Sequence, residues 1–448
     1  MMKTKLRNRI LGIFLVSTVA LSCTDNSITK TTLSNDLILA INKAESQGVN
    51  GLIMPESNKL FAIPADPKNP ISKAKVALGQ LLFHETSLGI QPKNMINYQT
   101  YSCASCHSAS AGFQSGMKQG IGEGGEGYGS KGEGRHINTS CKVQQLDVQP
   151  IRSPSAMNGA YQEITLWNGQ FGATGENRGT ENRWLKGDPV SNNNLGYEGL
   201  ETQAIAGFSV HRLGIDTATL QSEPYKSMFA AAFPDVPEQQ RYSVQFIGLA
   251  IAAYERTLLS NKAPFQKWLK GDYAALTDRQ IQGALVFFGK GQCYSCHKGP
   301  ALNSMAFYAL GLNDLNGAEV MGSVPFDVKL GRGGFTGKVE DQYKFKVPQL
   351  YNLKDVQFFG HGASMGSVRE IIEYKNKAAS ENANVPPDQL ADEFYPLQMS
   401  DEEISALVDF VENGLYDPDL ERYEPTELPS GFCFPNNDSL SRIQRGCN

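Results

Sequence analysis

Three features are missing from this sequence. It has no basic tract that would favour nucleic acid, and its formal net charge at pH 7 is −5. Its apolar stretch Ile10–Leu21 is too short to span a membrane. Its glycine-rich segment, 120–134, lacks the Lys-Ser/Thr pair of a phosphate loop and follows no predicted strand. Nucleic-acid binding and a nucleotide phosphate loop are therefore excluded, and we interpret 120–134 as a long surface loop.

Residues 1–22 have the plan of an export signal, with four basic residues ahead of the apolar stretch. Removing them leaves a more acidic chain, which favours partners with basic patches. The segment that follows, Ala20-Leu21-Ser22-Cys23, is similar to the lipobox of a bacterial lipoprotein. We predict a periplasmic protein of a Gram-negative cell envelope, held to the membrane only by a lipid on Cys23. Ordinary cleavage nearby, with Cys23 left unmodified, is the alternative.

Cysteine and histidine are also scarce, with 8 and 6 copies in 448 residues, yet they form two identical patterns. The segments 103–107 and 293–297 both read Cys-x-x-Cys-His, the attachment signature of a c-type haem. Two such pentapeptides are not expected by chance. A thioredoxin-like redox cysteine pair lies in a βαβ pattern, which the sequence does not show. A structural zinc site needs more ligands close by than these motifs have. The predicted haem-binding residues are Cys103, Cys106, His107, Cys293, Cys296 and His297.

A weak internal repeat surrounds these motifs. Gly79–Phe83 precedes the first motif as Gly283–Phe287 precedes the second. Downstream, Arg152–Asn158 and Lys346–Asn352 both read basic-x-Pro-x-x-x-Asn. Each half of the chain is therefore predicted to be one haem domain built on the same plan.

The predicted fold is mainly α, with two cytochrome c-like haem domains related by internal duplication and long loops between helices. Apolar residues have helical spacing in 242–259, and Thr277 and Ser400 begin capping boxes. In the tail, we expect Cys433 and Cys447 to form a disulfide in an oxidising compartment, which leaves Cys141 over. The predicted segments are a signal peptide 1–22, a tether 23–64, an N-terminal haem domain 65–235, a C-terminal haem domain 236–430 and a tail 431–448.

Together these features resemble the bacterial di-haem cytochrome c peroxidase and MauG family over roughly residues 65–420. Beyond the two haem motifs, the resemblance is carried by Leu78–Phe83, Arg152–Asn158, Trp167–Gly169, Leu200–Ala204, Phe265–Asp272, Gly331–Gly337, Lys344–Asn352, His361–Gly362 and Glu373–Asn376. It implies two covalent haem c groups. His107 would hold the peroxidatic iron, and His297 would hold the iron that receives electrons. It also implies hydrogen peroxide as substrate, a small periplasmic cytochrome c or cupredoxin as donor, and a homodimer.

The resemblance assigns roles to two residues near the first haem. Trp167 matches a tryptophan between the haems, a candidate electron relay, with a core aromatic as the alternative. Gln203 matches a glutamine of the peroxide pocket. Splitting the O–O bond also requires a base and a proton donor. The family's glutamate is absent, so His211 is the candidate acid/base, with Arg212 to stabilise negative charge. His211 as an iron ligand or as a structural histidine are the alternatives.

Two departures concern the ligands of the irons. Glu123 occupies the position of the histidine that closes the first iron in resting relatives, so we expect that haem to be open, unless His136 substitutes. The position of the sixth ligand of the second iron is Lys375, with Tyr374 and Met365 as the other candidates. We expect His361 to form a hydrogen bond near the haem edge without binding iron.

Relatives also hold calcium through an asparagine at the position of Arg152. A cation does not bind calcium, so this site is doubtful, and Arg152 could instead bind a haem propionate. His84 is predicted to be structural. The predicted function is reduction of hydrogen peroxide to water. Peroxide-dependent oxidation of a partner protein, as in MauG, and electron transfer without catalysis are the alternatives.

Overall fold

The computed structural model describes residues 23–447, and only the backbone of 23–30. The predicted signal 1–22 and the side chain of Cys23 lie outside the described residues. The described chain is mainly helical, as predicted. Its α-helices are α1 Cys23–Ala44, α2 Lys73–His84, α3 Gly199–Val210, α4 Thr217–Leu220, α5 Tyr225–Ala232, α6 Glu238–Arg241, α7 Val244–Glu255, α8 Pro264–Leu269, α9 Asp278–Phe288, α10 Phe326–Lys329, α11 Arg332–Thr336, α12 Val368–Lys377, α13 Asp401–Asp409 and α14 Ser439–Arg445.

Strands are few in the described chain. Two antiparallel pairs are present, β1 Gly125–Glu126 with β2 His136–Ile137, and β3 Phe307–Tyr308 with β4 Phe345–Lys346. A π-helical turn, Phe410–Gly414, continues α13. Between residues 23 and 447, no helix combines the length and the apolar character needed to cross a membrane.

Two helix crossings organise two hydrophobic cores. Helix α2 crosses α7 at Gly79, where an added Cβ would lie 1.9 Å from Ala250 O. Helix α9 crosses α13 at Gly283, where a Cβ would lie 2.0 Å from Ala406 O. Because a backbone oxygen cannot rotate away, both crossings require glycine.

Local signals place the starts of α9 and α13. The predicted capping boxes are confirmed. The Thr277 and Ser400 hydroxyls each accept a bond from the third helical N–H, and the backbone N–H of each donates to the side-chain oxygen of that third residue. Each box satisfies two amide groups that the helix leaves unpaired.

The segment predicted as a tether differs in the structure, because its described part is packed. Leu37 and Ile41 of α1, with Leu52 and Met54, are fully buried in the second core beside α9. Leu37 and Ile41 are four residues apart, so they lie on one helical face, and this spacing allows α1 to pack.

The C-terminal tail packs on the opposite half of the molecule. A disulfide joins Cys433 and Cys447. Ser102, beside the first haem motif, donates a hydrogen bond to Pro435 O at 2.9 Å, and Gly127 N donates to Asp438 at 3.0 Å.

The glycine-rich segment 120–134 was predicted to be a surface loop, and this prediction is wrong for 120–125, which is buried. The buried guanidinium of Arg135 binds it by donating to Ile121 O at 2.6 Å and to Gly122 O at 2.7 Å. A Cβ on Gly120 would lie 3.0 Å from Cys106 Sγ, so the missing side chains let this segment form a wall beside the first haem motif.

Candidate active site

Both haem motifs present histidine in the form that binds a metal. His107 Nδ1 lies 3.1 Å from Phe113 O, and His297 Nδ1 lies 3.1 Å from Leu302 O. A proton on Nδ1 that is donated to a carbonyl leaves Nε2 as the ligating nitrogen. Burial lowers the pKa of both rings to about 4, which favours the neutral, ligating form.

The cysteines of each motif lie on a short 3₁₀ turn, Cys103–Ser105 or Cys293–Ser295. In both motifs the histidine N–H donates to the carbonyl of the first cysteine, at 3.2 Å and 2.9 Å. All four thiols are free. The repeated turn, with two free thiols and one oriented imidazole, fits covalent attachment of a haem c at each motif.

One cavity of about 400 Å³ contacts both motifs. Its lining includes His107, His297, Gln203 and Trp167. The Trp167 indole donates to Arg152 O at 2.8 Å, and Trp167 O accepts from Lys346 N at 2.7 Å. Trp167 and Gln203 are thus on the cavity that joins the two motifs.

Two buried cations line this cavity without a carboxylate partner among the described residues. Arg152, 2% exposed, donates to Gln114 Oε1 at 2.7 Å, and Lys346, 6% exposed, donates to Gln162 Oε1. Burial lowers the pKa of Arg152 to about 10 and that of Lys346 to about 7. A buried charge is costly unless it is paired, so this donor set fits the propionates of a bound haem.

The sequence contained a signal for this pair of cations. Arg152 and Lys346 are the basic positions of the repeated basic-x-Pro-x-x-x-Asn pattern. Lys346 was not singled out as a site residue, because a lysine in an isolated sequence is most often exposed.

His211 lies at the end of α3, outside the lining of the cavity. Its Nδ1 is 2.9 Å from Asp147 Oδ2. Burial lowers the pKa of His211, but the Asp147 carboxylate outweighs this effect and raises it overall. A positive charge on His211 lowers the pKa of His107. Asp147 was not predicted.

The guanidinium of Arg212 is bound to the wall that 120–125 form beside the first haem motif. It pairs with Glu123 and donates to Gln145 O, and to Leu146 O at 3.0 Å. These bonds differ from the predicted role of Arg212 in stabilising charge on the substrate. Glu123 is fully buried and also accepts from Asn94 N at 2.9 Å. Its carboxylate is therefore committed to the wall.

His136 is placed on the surface by the structure. Its side chain is 54% exposed, and its Nε2 lies 3.5 Å from Glu126. The alternative in which the loop brings His136 to the first iron receives no support from this position.

Of the candidate sixth ligands at the second motif, Tyr374 and Lys375 line the cavity, and Met365 does not. The Tyr374 hydroxyl donates to Leu310 O at 2.6 Å, and the Lys375 ammonium donates to Glu393 O. Met399, which the sequence did not indicate, also lines the cavity. His361 stacks on Phe345 with centroids 3.5 Å apart, and its Nε2 lies 3.5 Å from Asp314.

Glu255 is a further acidic group on the cavity. Burial, and then the charge of Glu201, raise its pKa to about 8, although Arg256 acts in the opposite direction. Burial therefore favours the protonated form of Glu255.

Comparison with known proteins supports the predicted resemblance. Residues 73–274 match the family model described as di-haem cytochrome c peroxidase. Over that stretch the chain is similar to the di-haem cytochrome c peroxidases.

Two curated relatives illustrate the breadth of this di-haem family. Cytochrome c peroxidase Ccp of Escherichia coli is 28% identical over 327 residues, which are 72% of this chain and only 58% of that protein. Methylamine utilization protein MauG of Methylorubrum extorquens is 25% identical over 359 residues, covering 78% of this chain and 81% of MauG.

The fold is also found among solved structures. A MauG-like protein associated with microbial copper homeostasis superimposes with a TM-score of 0.54 and 21% identity, covering 82% of this chain and 94% of that one. At this identity the match establishes the fold alone.

Proposed function

We propose that this protein is a periplasmic di-haem peroxidase that reduces hydrogen peroxide to water. Electrons from a small cytochrome c or cupredoxin would enter at the haem of His297 and pass by Trp167 to the haem of His107. The observation that carries this proposal is the single cavity lined by both histidines and Trp167. A lipid on Cys23 would hold the protein to the membrane, and the family resemblance favours a homodimer.

Separate residues of the chain would bind the haems and act on the peroxide. The two cysteines of each motif attach a haem, and Arg152 and Lys346 bind propionates. A haem held at each motif would supply peroxide binding and electron storage. His211 Nε2 moves the proton between the peroxide oxygens, and the Gln203 amide orients the peroxide. The propionates would supply the negative charge that the two buried cations lack.

Matched contacts in the two halves support internal duplication. Asn158 and Asn352 both adopt the left-handed conformation, with φ of 58°. Asn158 N donates to Leu258 O at 2.7 Å, and Asn352 N donates to Leu415 O at 3.2 Å. Each carbonyl belongs to the segment that follows the second helix of a glycine crossing. We infer that two haem domains of one design make up residues 65–430.

The test is the absorption spectrum of the diferric protein after one equivalent of hydrogen peroxide, followed at millisecond resolution, with turnover by a reduced cytochrome c. We expect a rapid Soret shift. His107→Gly should abolish turnover with the second haem intact, and His211→Ala should slow the peroxide reaction with both haems retained. The surface variant His136→Ala is the control and should react normally. Turnover that survives His107→Gly would overturn the assignment of the two haems.

MauG-like oxidation of a partner protein is the second candidate. It is favoured by the ion pair of Glu123 with Arg212, since Glu123 replaces the histidine that closes the iron in resting peroxidases. Rapid reaction with peroxide but slow turnover with every small donor would favour this candidate. A diferric spectrum that peroxide leaves unchanged would favour an electron carrier.

A further inference from the structure

A buried carboxylate fixes the ring of His211. The Asp147 side chain is 7% exposed, and its Oδ2 is 2.9 Å from His211 Nδ1. Because an ionised carboxylate only accepts hydrogen bonds, the proton of the neutral imidazole lies on Nδ1. The hydrogen bonds described for residues 23–447 include none to Nε2 of His211, so its lone pair is free to accept a proton.

Asp147 is itself held on both sides. Its N–H donates to Glu123 O at 2.9 Å, and its carbonyl accepts from Gly122 N at 2.8 Å. A Cβ on Gly122 would lie 2.5 Å from Asp147 Oδ2, so the glycine makes room for the carboxylate. Arg212 also bonds to Leu146 O. The residues beside His211 and Asp147 are therefore tied together as well.

We propose that Asp147 is a positioning residue for the reaction with peroxide. It holds His211 so that Nε2 takes a proton from one oxygen of hydrogen peroxide and returns it to the other oxygen as the O–O bond breaks. That second oxygen leaves as water, and the two electrons for the cleavage would come from the haem that His107 would hold. His211 ends neutral, and the Asp147 carboxylate stabilises the intervening imidazolium. Arg212 and His107 are the other charged or titratable groups near the ring. This inference rests on the proposed function.

The first test compares Asp147→Asn with the wild-type diferric holoprotein. The amide can donate to Nδ1, which moves the imidazole proton to Nε2 and removes the base. We expect the peroxide reaction to slow by about 100-fold, the lower end of what a positioned base contributes. Burial lowers the pKa of His211 and Asp147 raises it, so the acid limb of the pH profile should move to lower pH in the variant.

A matched control removes the other neighbour of the carboxylate. Gln149 Nε2 lies 3.5 Å from Asp147 Oδ1, and Gln149→Ala leaves the bond to His211 in place. Its rate and pH profile should equal those of the wild type. A loss as large as that of Asp147→Asn would indicate general loosening of the wall and would overturn the proposal.

A double-mutant cycle separates positioning from direct action. If Asp147 acts through His211, Asp147→Asn should cause no further loss in a His211→Ala background. A second, multiplicative loss of about 100-fold would contradict the proposal, as would an unchanged rate in His211→Ala alone.

Cyanide association with the diferric protein gives a readout independent of turnover, because hydrogen cyanide must also lose its proton to bind. If the wild type binds cyanide but does not react with peroxide, the proposed function fails. Slower cyanide association in Asp147→Asn would then still support the positioning role, and equal rates would overturn it. A wild-type protein that does not bind cyanide would also overturn it.

Discussion

His84 shows how burial dominates the titration of one residue. It ends α2 inside the first core, where its ring packs against Phe434 with centroids 5.4 Å apart. Its Nδ1 lies 2.8 Å from Gln80 O, and its Nε2 has no hydrogen-bond partner. Burial, the main cause, lowers its pKa to about 4. The sequence prediction of a structural histidine agrees with this position.

This residue should make stability depend on pH. Between pH 6.5 and pH 4 the unfolded chain binds a proton at His84 that the folded chain does not. The free energy of unfolding should therefore fall by about 3 kcal/mol as pH drops through this window, and level off below it. Denaturant titrations of the holoprotein at pH 7 and pH 4.5 measure the loss. His84→Leu should reduce it, and the exposed His136→Ala should not; equal losses in both would contradict the assignment.

Residue by residue, the sequence predicted what local spacing encodes. It found both haem motifs, and it found Trp167 and Gln203, which line the cavity. It missed Asp147 because 64 positions separate this residue from His211, and no periodic pattern links them. It missed the commitment of Arg212 to Glu123 for the same reason, since that pair is 89 positions apart.

Among the elements, the helix crossings at Gly79 and Gly283 leave the least room for an added side chain. Gly79→Ala and Gly283→Ala would each push a Cβ to about 2 Å from a backbone oxygen. We expect each to destabilise the protein by about 3 kcal/mol, the upper part of the usual range for overpacking. Gly207→Ala is the matched control, because its Cβ would meet nothing closer than 3.8 Å in the interior of α3.

The control should have the opposite sign. Alanine in a helix interior is favoured over glycine by roughly 0.5–1 kcal/mol, so Gly207→Ala should stabilise. Denaturant midpoints of the three variants, measured with both haems in place, compare their free energies of unfolding with that of the wild type. Destabilisation of Gly207→Ala as large as that of Gly79→Ala would show that the crossings are not special.

Elements were predictable where the signal is local. The capping boxes of α9 and α13 depend on residues three apart, and both are present. Burial of 120–125 was not predictable. A glycine-rich segment has no apolar periodicity, so nothing in it indicates that the Arg135 side chain binds its carbonyl groups. The packing of α1 was missed because the polar composition of 24–63 hides one apolar face.

At the scale of the whole molecule, helix α1 packs on the half that carries the second haem motif, and the C-terminal tail packs on the half that carries the first. Helix α1 completes the second core, and the tail with Cys433 and Cys447 covers the first haem motif. The disulfide closes a short loop with a sequence separation of 14. Cys433→Ser should lower the free energy of unfolding by about 2–4 kcal/mol in the oxidised protein. Cys141→Ser, at a free cysteine, is the control and should change it much less. Thermal unfolding with and without reductant measures both; equal values would mean that the tail does not stabilise the first half.

The packing of the tail on the first half also has a consequence for the order of folding steps. Pro435, which accepts bonds from Ser102 and Ser105 beside the first haem motif, lies 333 and 330 positions after them and is synthesised later. The first motif therefore stays uncovered by the tail while the intervening segment is made. Under the proposed function, haem attachment at Cys103 and Cys106 would have that interval to proceed, and docking of the tail would end it.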